Sequence, residues 1–577
     1  MEVLSTATQV VLEQRETYQG PDRAICHHRP ETITRRLSHL LLLPRFDVVH
    51  PYHLQTVRPL GLGLVAAGGP TLGYSTLEHF LGDLEALRVA APLGDALAKQ
   101  YLEIWPVSEG GGFFYLDNHR KVRYSGYPTA AGKISASDRI LGGTTQLFLH
   151  DTAGHGLHMH SGPADDHMTR TALPLVQRFI SLVGRDKVRG IVADQEIRSV
   201  ALFQELEAMD HLGFVTSSRT PTAKQEADFE IEGFFVPYLR DPESGETTHW
   251  VAHAHTRLRD RRQGLSFPAE VTLVVDCRAG MPGRLIPIVH NLRGQDVPVE
   301  LPHQLYVGHW QGQERVFRDM RPCQNLDAHY GQKKVAVANR RQIRKGEYLR
   351  RNLESLAKQV ATAERKVQDY TDRIEALKQE AQRKKAENKE QVAALRKSGR
   401  EAETDRQRQR LMIQAERLAA KGQVQQIRLQ DRQRRQTTHQ HHWQKKLEER
   451  QSKRKQVLQE LQEMEDRPFY DFDLEKDELM TYLRMAGENA HRFGQERFFG
   501  GTLLEKVDEA TMVRLVYNQP GWVRRQGQYL HVLLQGYDNA GMQAAVAQAC
   551  RRVNQAQIEL VSGHRLRMEV AGEILDW

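Results

Sequence analysis

From Leu349 onward, apolar residues return at alternating spacings of four and three: Leu349, Leu353, Leu356, Val360, Ala363, Val367, Tyr370, Ile374 and Leu377. A 3.5-residue repeat draws one apolar seam along a helix, and the seam has to be buried against another helix. The repeat weakens toward Ser398-Gly399, which reads as a turn. A second helical run then carries Trp443, Leu447, Val457, Leu461 and Met464 near a heptad frame. The economical reading is an antiparallel coiled-coil hairpin over 340–467, ending before Pro468; one long interrupted helix is the alternative. The segment holds about 34 Lys+Arg against about 20 Asp+Glu, in a chain whose net charge is +8, so the rest of the chain sums to about −6. The basicity therefore belongs to one element. It is either a solvated helical surface or a contact for nucleic acid phosphates.

A chain of 577 residues calls for three to five structural units around this hairpin. Residues 1–105 read as an N-terminal helical region and a candidate DNA-binding domain. Within it, 75–87 has Ser75 as the expected N-cap and Glu78 at the capping-box position. Residues 106–335 switch to strand, strand, strand, helix, strand, helix, strand, and 220–300 read as a β-rich insertion in that core. Residues 468–577 read as a small α+β unit, with a strand expected over 512–517. The fold class is α/β with a mixed-sheet core. No apolar run is long enough for a membrane span, and the first residues lack the basic start and apolar stretch of a secretory signal. The cysteines, Cys26, Cys277, Cys323 and Cys550, are too scattered for a disulfide framework or a zinc cluster. The expectation is a reduced, cytoplasmic protein. Cys26-His27-His28 lacks partner ligands for a zinc site, and His439 to His442 lie within a helix, where histidines three apart read as surface residues.

Three carboxylates carry the candidate chemistry. The apolar run FFYLD (113–117) ends on Asp117, the apolar strand VRGIVAD (188–194) ends on Asp194, and Glu314 lies in a probable helix over 305–321. A single strand-end acid usually caps a turn. In an RNase H-like layout, however, the first and fourth strands are neighbours at the sheet centre and a later helix crosses the same edge, so three such acids converge. Converging carboxylates repel unless a divalent cation neutralises them, and hard oxygen ligands suit Mg2+ or Mn2+. Two such ions can activate water or a 3′-hydroxyl and stabilise the leaving oxygen in phosphodiester cleavage. Asp276, at the end of a strand in the insertion, and Glu196 compete for the third position and rank below Glu314, since neither lies on a helix after the core strands. His119 is close enough in sequence to touch the site but reads as incidental.

Four stretches in this order resemble the bacterial insertion-sequence transposases of the DDE type. FFYLDNHRKVRYSG is similar to the family's first-acid strand, and LFLHDTAGHGLHMHSGPADD to the hairpin that follows. VRGIVADQEIRSVALFQEL is similar to the second-acid segment and LYVGHWQGQERVFRDM to the third-acid helix. His309 stands where the family usually has Arg, one extra residue separates Trp310 from Gln313-Glu314, and Gln195-Glu196 replace the usual Arg-Gly. The resemblance implies an RNase H-like catalytic core with Asp117, Asp194 and Glu314 as ligands of two Mg2+ or Mn2+ ions. It also implies Tyr306, His309, Arg318 and Arg321 near the DNA. The implied activity is metal-dependent cleavage at transposon ends and strand transfer into target DNA by a homodimer or higher oligomer. The rival expectation is a catalytically decayed or domesticated DNA-binding scaffold built on the coiled coil.

Overall fold

In a computed structural model of the chain, residues 2–572 are described, apart from 57–59, 107–111, 135–138, 219–220, 222–225, 227, 261–262, 279–282, 293–296, 310–314, 332 and 465–468. The chain forms two compact units, one of Met1–Val335 with Tyr470–Trp577 and the other of Ala336–Phe469.

The first unit begins with five helices, α1 (Glu2–Thr17), α2 (Pro30–Leu42), α3 (Leu60–Ala67), α4 (Tyr74–Ala86) and α5 (Ala90–Ile104). The apolar spacing of α4 buries Leu77, Phe80, Leu81 and Leu84. The helix starts one residue before the expected cap: extended Gly73 is the N-cap, which places Ser75 inside the first turn.

Ten strands follow: β1 (Phe113–Val122), β2 (Ala131–Ile134), β3 (Arg139–His150), β4 (Gly156–Pro163), β5 (Gly190–Ala193), β6 (Gly213–Ser217), β7 (Glu230–Arg240), β8 (Thr247–Asp260), β9 (Leu265–Asp276) and β10 (Arg284–His290). They form one sheet of order β2-β3-β1-β5-β6-β10-β9-β8-β7, with β4 paired to β3. β1 is antiparallel to β3 and parallel to β5, and β5 is parallel to β6. From β6 through β10, β9, β8 and β7 all pairing is antiparallel, so the β-rich insertion prolongs the core sheet. Helix α6 (Met168–Val183) links β4 to β5 and α7 (Val200–Glu207) links β5 to β6.

Alternation along the central strands feeds two cores. Phe114, Leu116, Ile191, Ala193 and Phe214 join Phe179 of α6 and Phe203 of α7 on one face. Phe113, Tyr115, Val192, Val215 and Ile288 face the other way, toward Leu301, Leu305 and Tyr306 of α8 (Leu301–His309). Burial on both faces is why VRGIVAD has no polar alternation. Another helix, α9 (Arg315–Cys323), follows α8 in the chain.

After residue 470 the chain returns to the same unit. Its long helix, Glu475–Phe499, lies against α5, where a Cβ on Gly94 would stand 2.2 Å from the Tyr482 ring; only glycine admits that approach. The last residues form a three-stranded sheet (Gly521–Gln526, Tyr529–Leu534, Arg565–Val570) covered by the helix Ala540–Gln555. Val513–Tyr517 is a turn of π-helix, where a strand was expected. The Asp508 carboxylate caps the Thr511 N–H at 2.9 Å and starts a helical turn, which buries Met512 and Val516 beside Phe499 and Leu504.

The second unit is a helical pair, α10 (Arg340–Arg400) and α11 (Asp405–Gln462). Cross-pair bonds run from Arg450 to the Gln359 carbonyl, from Gln440 to Thr371 and from Asn388 to the Leu418 carbonyl, so residue numbers fall on one helix as they rise on the other, and the pair is antiparallel. Leu349, Leu356, Val360, Ala363 and Ile374 of the repeat are buried, and the other repeat positions are half-buried. Helix α10 continues through Gly399, and the turn falls at 401–404, where the Thr404 hydroxyl caps α11. At Gly422 an added Cβ would meet Asn388 Nδ2 at 1.9 Å, so a side chain here would displace the amide that bonds the Leu418 carbonyl.

Candidate active site

Asp117 lies inside β1, which runs on to Val122 against β3. The strand does not stop at the acid. The parallel ladder between β1 and β5 does stop there: its last pair is Leu116 with Ala193, so Asp117 and Asp194 leave its C-terminal end side by side. Strand spacing puts their backbones about 5 Å apart, and in-register residues of parallel strands project from the same face. That face is the one carrying Tyr115, Val192 and Val215, the side of α8.

Each carboxylate is held by its own backbone. Asp117 Oδ1 accepts the Asn118 N–H at 2.7 Å, and Asp194 Oδ1 accepts the Gln195 N–H at 2.5 Å. The Tyr306 hydroxyl of α8 hydrogen-bonds the Asp194 carboxylate and also accepts from Ser217 Oγ at 2.7 Å. Burial raises the Asp194 carboxyl above its ordinary value, and Glu196 adds to the rise; the Gln195 N–H and the Tyr306 hydroxyl act in the opposite direction.

His309 closes α8 beneath β1. Its Nε2 bonds the Leu116 carbonyl at 3.2 Å, and its ring meets Tyr115 edge-on at 5.4 Å. Burial drives its imidazole down to about 4, so the ring is neutral at physiological pH. On the other side of Asp117, His119 stacks on Phe317 of α9 at 5.6 Å and bonds Asp327 at 2.7 Å. The described residues that flank 310–314 are thereby fixed at Tyr115 and at His119. Glu314 lies outside the described residues.

The other sequence candidates separate by position. Tyr306 and His309 turn inward to the sheet, whereas the Arg318 and Arg321 side chains are mainly solvent-exposed, Arg318 3.7 Å from Asp319 and Arg321 3.9 Å from Asp327. Glu196 is bonded by Asn118 at 3.1 Å and lies 3.5 Å from Arg120, residues on the face of β1 opposite Asp117. Asp276 is buried against Arg278, whose guanidinium bonds both its oxygens at 3.0 and 2.7 Å and holds it down at about 2. His439 is exposed and stacks on Tyr370 across the helical pair at 5.7 Å. A cavity of about 140 Å3 lined by Phe113, Arg189, Glu207 and Leu292 lies at the N-terminal ends of β1, β5 and β6, away from the acids.

The sequence reading did not find that Tyr306 and Ser217 serve Asp194. It also passed over five residues of the insertion, Glu232, His253, His255, Glu270 and His290, whose donor atoms gather on one sheet face. The only signal was the alternation in HWVAHAH, which puts His249, His253 and His255 on a common side. Among the described residues no helix is long and apolar enough to cross a membrane. No protein-family model matches the chain, and no curated protein matches it.

Proposed function

We propose that the chain is a DNA transposase whose sheet is an RNase H-like core and whose site is the trio Asp117, Asp194 and Glu314. The observation that carries this reading is the pair of acids leaving the central parallel ladder side by side, on the face where His309 and Phe317 anchor the two flanks of Glu314. The strand order β4-β3-β1-β5-β6, with its antiparallel and parallel senses, is the order that such a core requires.

The donor set fits Mg2+ or Mn2+. Two carboxylates share one face, and Asp194 is raised by burial with an acid as its only destabilising neighbour, which a hard divalent cation would offset. When bound, a pair of such ions supplies charge neutralisation at the scissile phosphate and an activated nucleophile. The chain's own residues do the positioning. Tyr306 and Ser217 fix the Asp194 rotamer, neutral His309 ties α8 to the β1 backbone, and exposed Arg318 and Arg321 on α9 meet DNA phosphates. The basic helical pair serves dimerisation or DNA clamping at the bacterial nucleoid. The test is Mg2+-dependent cleavage of DNA bearing the element's own ends. Asp194→Ala abolishes it on this reading; equal cleavage by both proteins rejects the site, and no cleavage by the wild type leaves the DNA-binding scaffold.

A further inference from the structure

Four adjacent strands of the insertion set ionisable side chains in register on one face. Glu232 of β7 pairs with His253 of β8, His255 of β8 pairs with Glu270 of β9, and Glu270 pairs with His290 of β10. His253 also pairs with Thr272, Thr272 with Ile288, and Ile288 with Ser217, so the row continues across the sheet toward the strand end that carries Asp194. From β5 to β8 is four strand spacings, roughly 20 Å, so this cluster is distinct from the carboxylate site.

Hydrogen bonding settles which nitrogens are free. Thr272 Oγ1 donates to the Val299 carbonyl at 3.0 Å, so it accepts from His290 Nε2 at 3.4 Å. That tautomer leaves Nδ1 of His290 with a lone pair. His290 is 2% exposed, its Nδ1 has no hydrogen-bond partner among the described residues, and it lies 3.8 Å from Glu270 Oε2. His253 Nδ1 donates to Glu232 Oε2 at 3.1 Å, which leaves Nε2 as its free lone pair. A buried imidazole nitrogen without a donor is costly, and its conjunction with a carboxylate and a second imidazole is the signature of a ligand set.

We propose that His253, Glu270 and His290 bind one transition-metal ion of the Zn2+ class, with Glu232 as the outer carboxylate that orients His253. The three donor atoms lie within 4.8 Å of one another, against roughly 3.4 Å on a tetrahedral ion, a difference that small side-chain rotations remove. Imidazole with carboxylate suits Zn2+ rather than Mg2+, and a histidine ligand normally gives its other N–H to a carboxylate or carbonyl. The ion would tie together β8, β9 and β10, with the exposed edge strand β7 attached through Glu232.

The experiment uses the full-length chain, stripped with a chelator and titrated with Zn2+ by calorimetry, with circular dichroism as the check on folding. The wild type should take up one tight equivalent and melt at a higher temperature with Zn2+ than without. His253→Ala should weaken binding at least 100-fold, Glu270→Gln at least tenfold and Glu232→Gln about tenfold. The double variant Asp117→Asn/Asp194→Asn should keep the tight equivalent, which separates this site from the proposed catalytic one. Absence of a tight equivalent in the wild type overturns the proposal, as does its loss in the double variant with His253→Ala unaffected. Loss in His255→Ala with Glu270→Gln unaffected also overturns it, since the trio Glu232, His253 and His255 would then hold the ion.

Discussion

Replacing Asp477 with alanine should open the unit where its last long helix meets the sheet. The Asp477 carboxylate, 1% exposed, accepts from Lys121 Nζ at 3.0 Å, from the Tyr330 N–H at 3.0 Å and from Gln146 Nε2 at 3.3 Å, with Arg123 3.8 Å away. Burial opposes its charge, but Lys121, Arg123 and the Tyr330 N–H together hold its pKa below the ordinary value. Burial pushes Lys121 down to about 8 even with the carboxylate beside it. Removing one member of a buried pair strands the other charge and costs about 3–5 kcal/mol. At about 1.4 kcal/mol per tenfold, hydrogen exchange in peptides covering β1 and 475–499 should accelerate by a factor of about 100 or more. The paired change Lys121→Met with Asp477→Leu removes that ion pair but leaves the Tyr330 N–H without its acceptor, while Gln146 Nε2 keeps the Thr481 hydroxyl at 3.0 Å. A residual loss of about 1–3 kcal/mol should remain. Acceleration under tenfold for Asp477→Ala, or a paired variant worse than the single one, would refute this reasoning.

Glu509 lies beside Glu488 in a buried pair, and burial together with that neighbour raises its carboxyl to about 9, against an ordinary 4.5. A raised carboxyl stabilises fully below the unfolded value and loses that contribution as pH climbs through about 9, so Glu509→Gln should flatten melting temperature against pH between 5 and 9; an unchanged slope would show that the pair holds no proton. Asp276→Asn should leave Mg2+-dependent DNA cleavage intact while Glu314→Gln abolishes it, because Asp276 already answers Arg278; the reverse outcome would move the third acid to the insertion. Tyr306→Phe should lower cleavage about five- to tenfold, the value of one hydrogen bond at Asp194. In the helical pair, Leu447 packs with Val360 and Ala363, and Leu447→Ala should cost roughly 2–3 kcal/mol in the thermal unfolding of 336–469 followed by circular dichroism.

What could be read in advance was what is local and periodic. The heptad from Leu349 to Leu377 states its own burial, and the helical pair follows from it. The apolar runs ending at Asp117 and Asp194 signal strands buried on both faces, and their adjacency follows from the order of strands and helices between them. Positions decided by tertiary partners were not legible. Val513–Tyr517 is a short apolar run that suits strand or helix equally, and the Asp508 cap decides it. Ser398-Gly399 stays helical because helix pairing carries α10 past a weak former. From sequence Tyr306 reads as a DNA contact, and only its bond to Ser217 ties it to the sheet. The insertion's histidines lie from 253 to 290, and only strand register brings them together.

Iron-directed cleavage of the polypeptide gives the most direct test of the carboxylate trio. With Fe2+ in place of Mg2+, ascorbate and peroxide cut the backbone only beside the bound ion. Cuts near 117, 194 and 314 should appear together, all suppressed by excess Mg2+ and all lost in Asp194→Asn. Fe2+ held by the imidazole site should instead cut near 253, 270 and 290 and be displaced by Zn2+. Cuts at one of the three acid segments alone, or cuts near 117 and 314 that persist in Asp194→Asn, would contradict the trio.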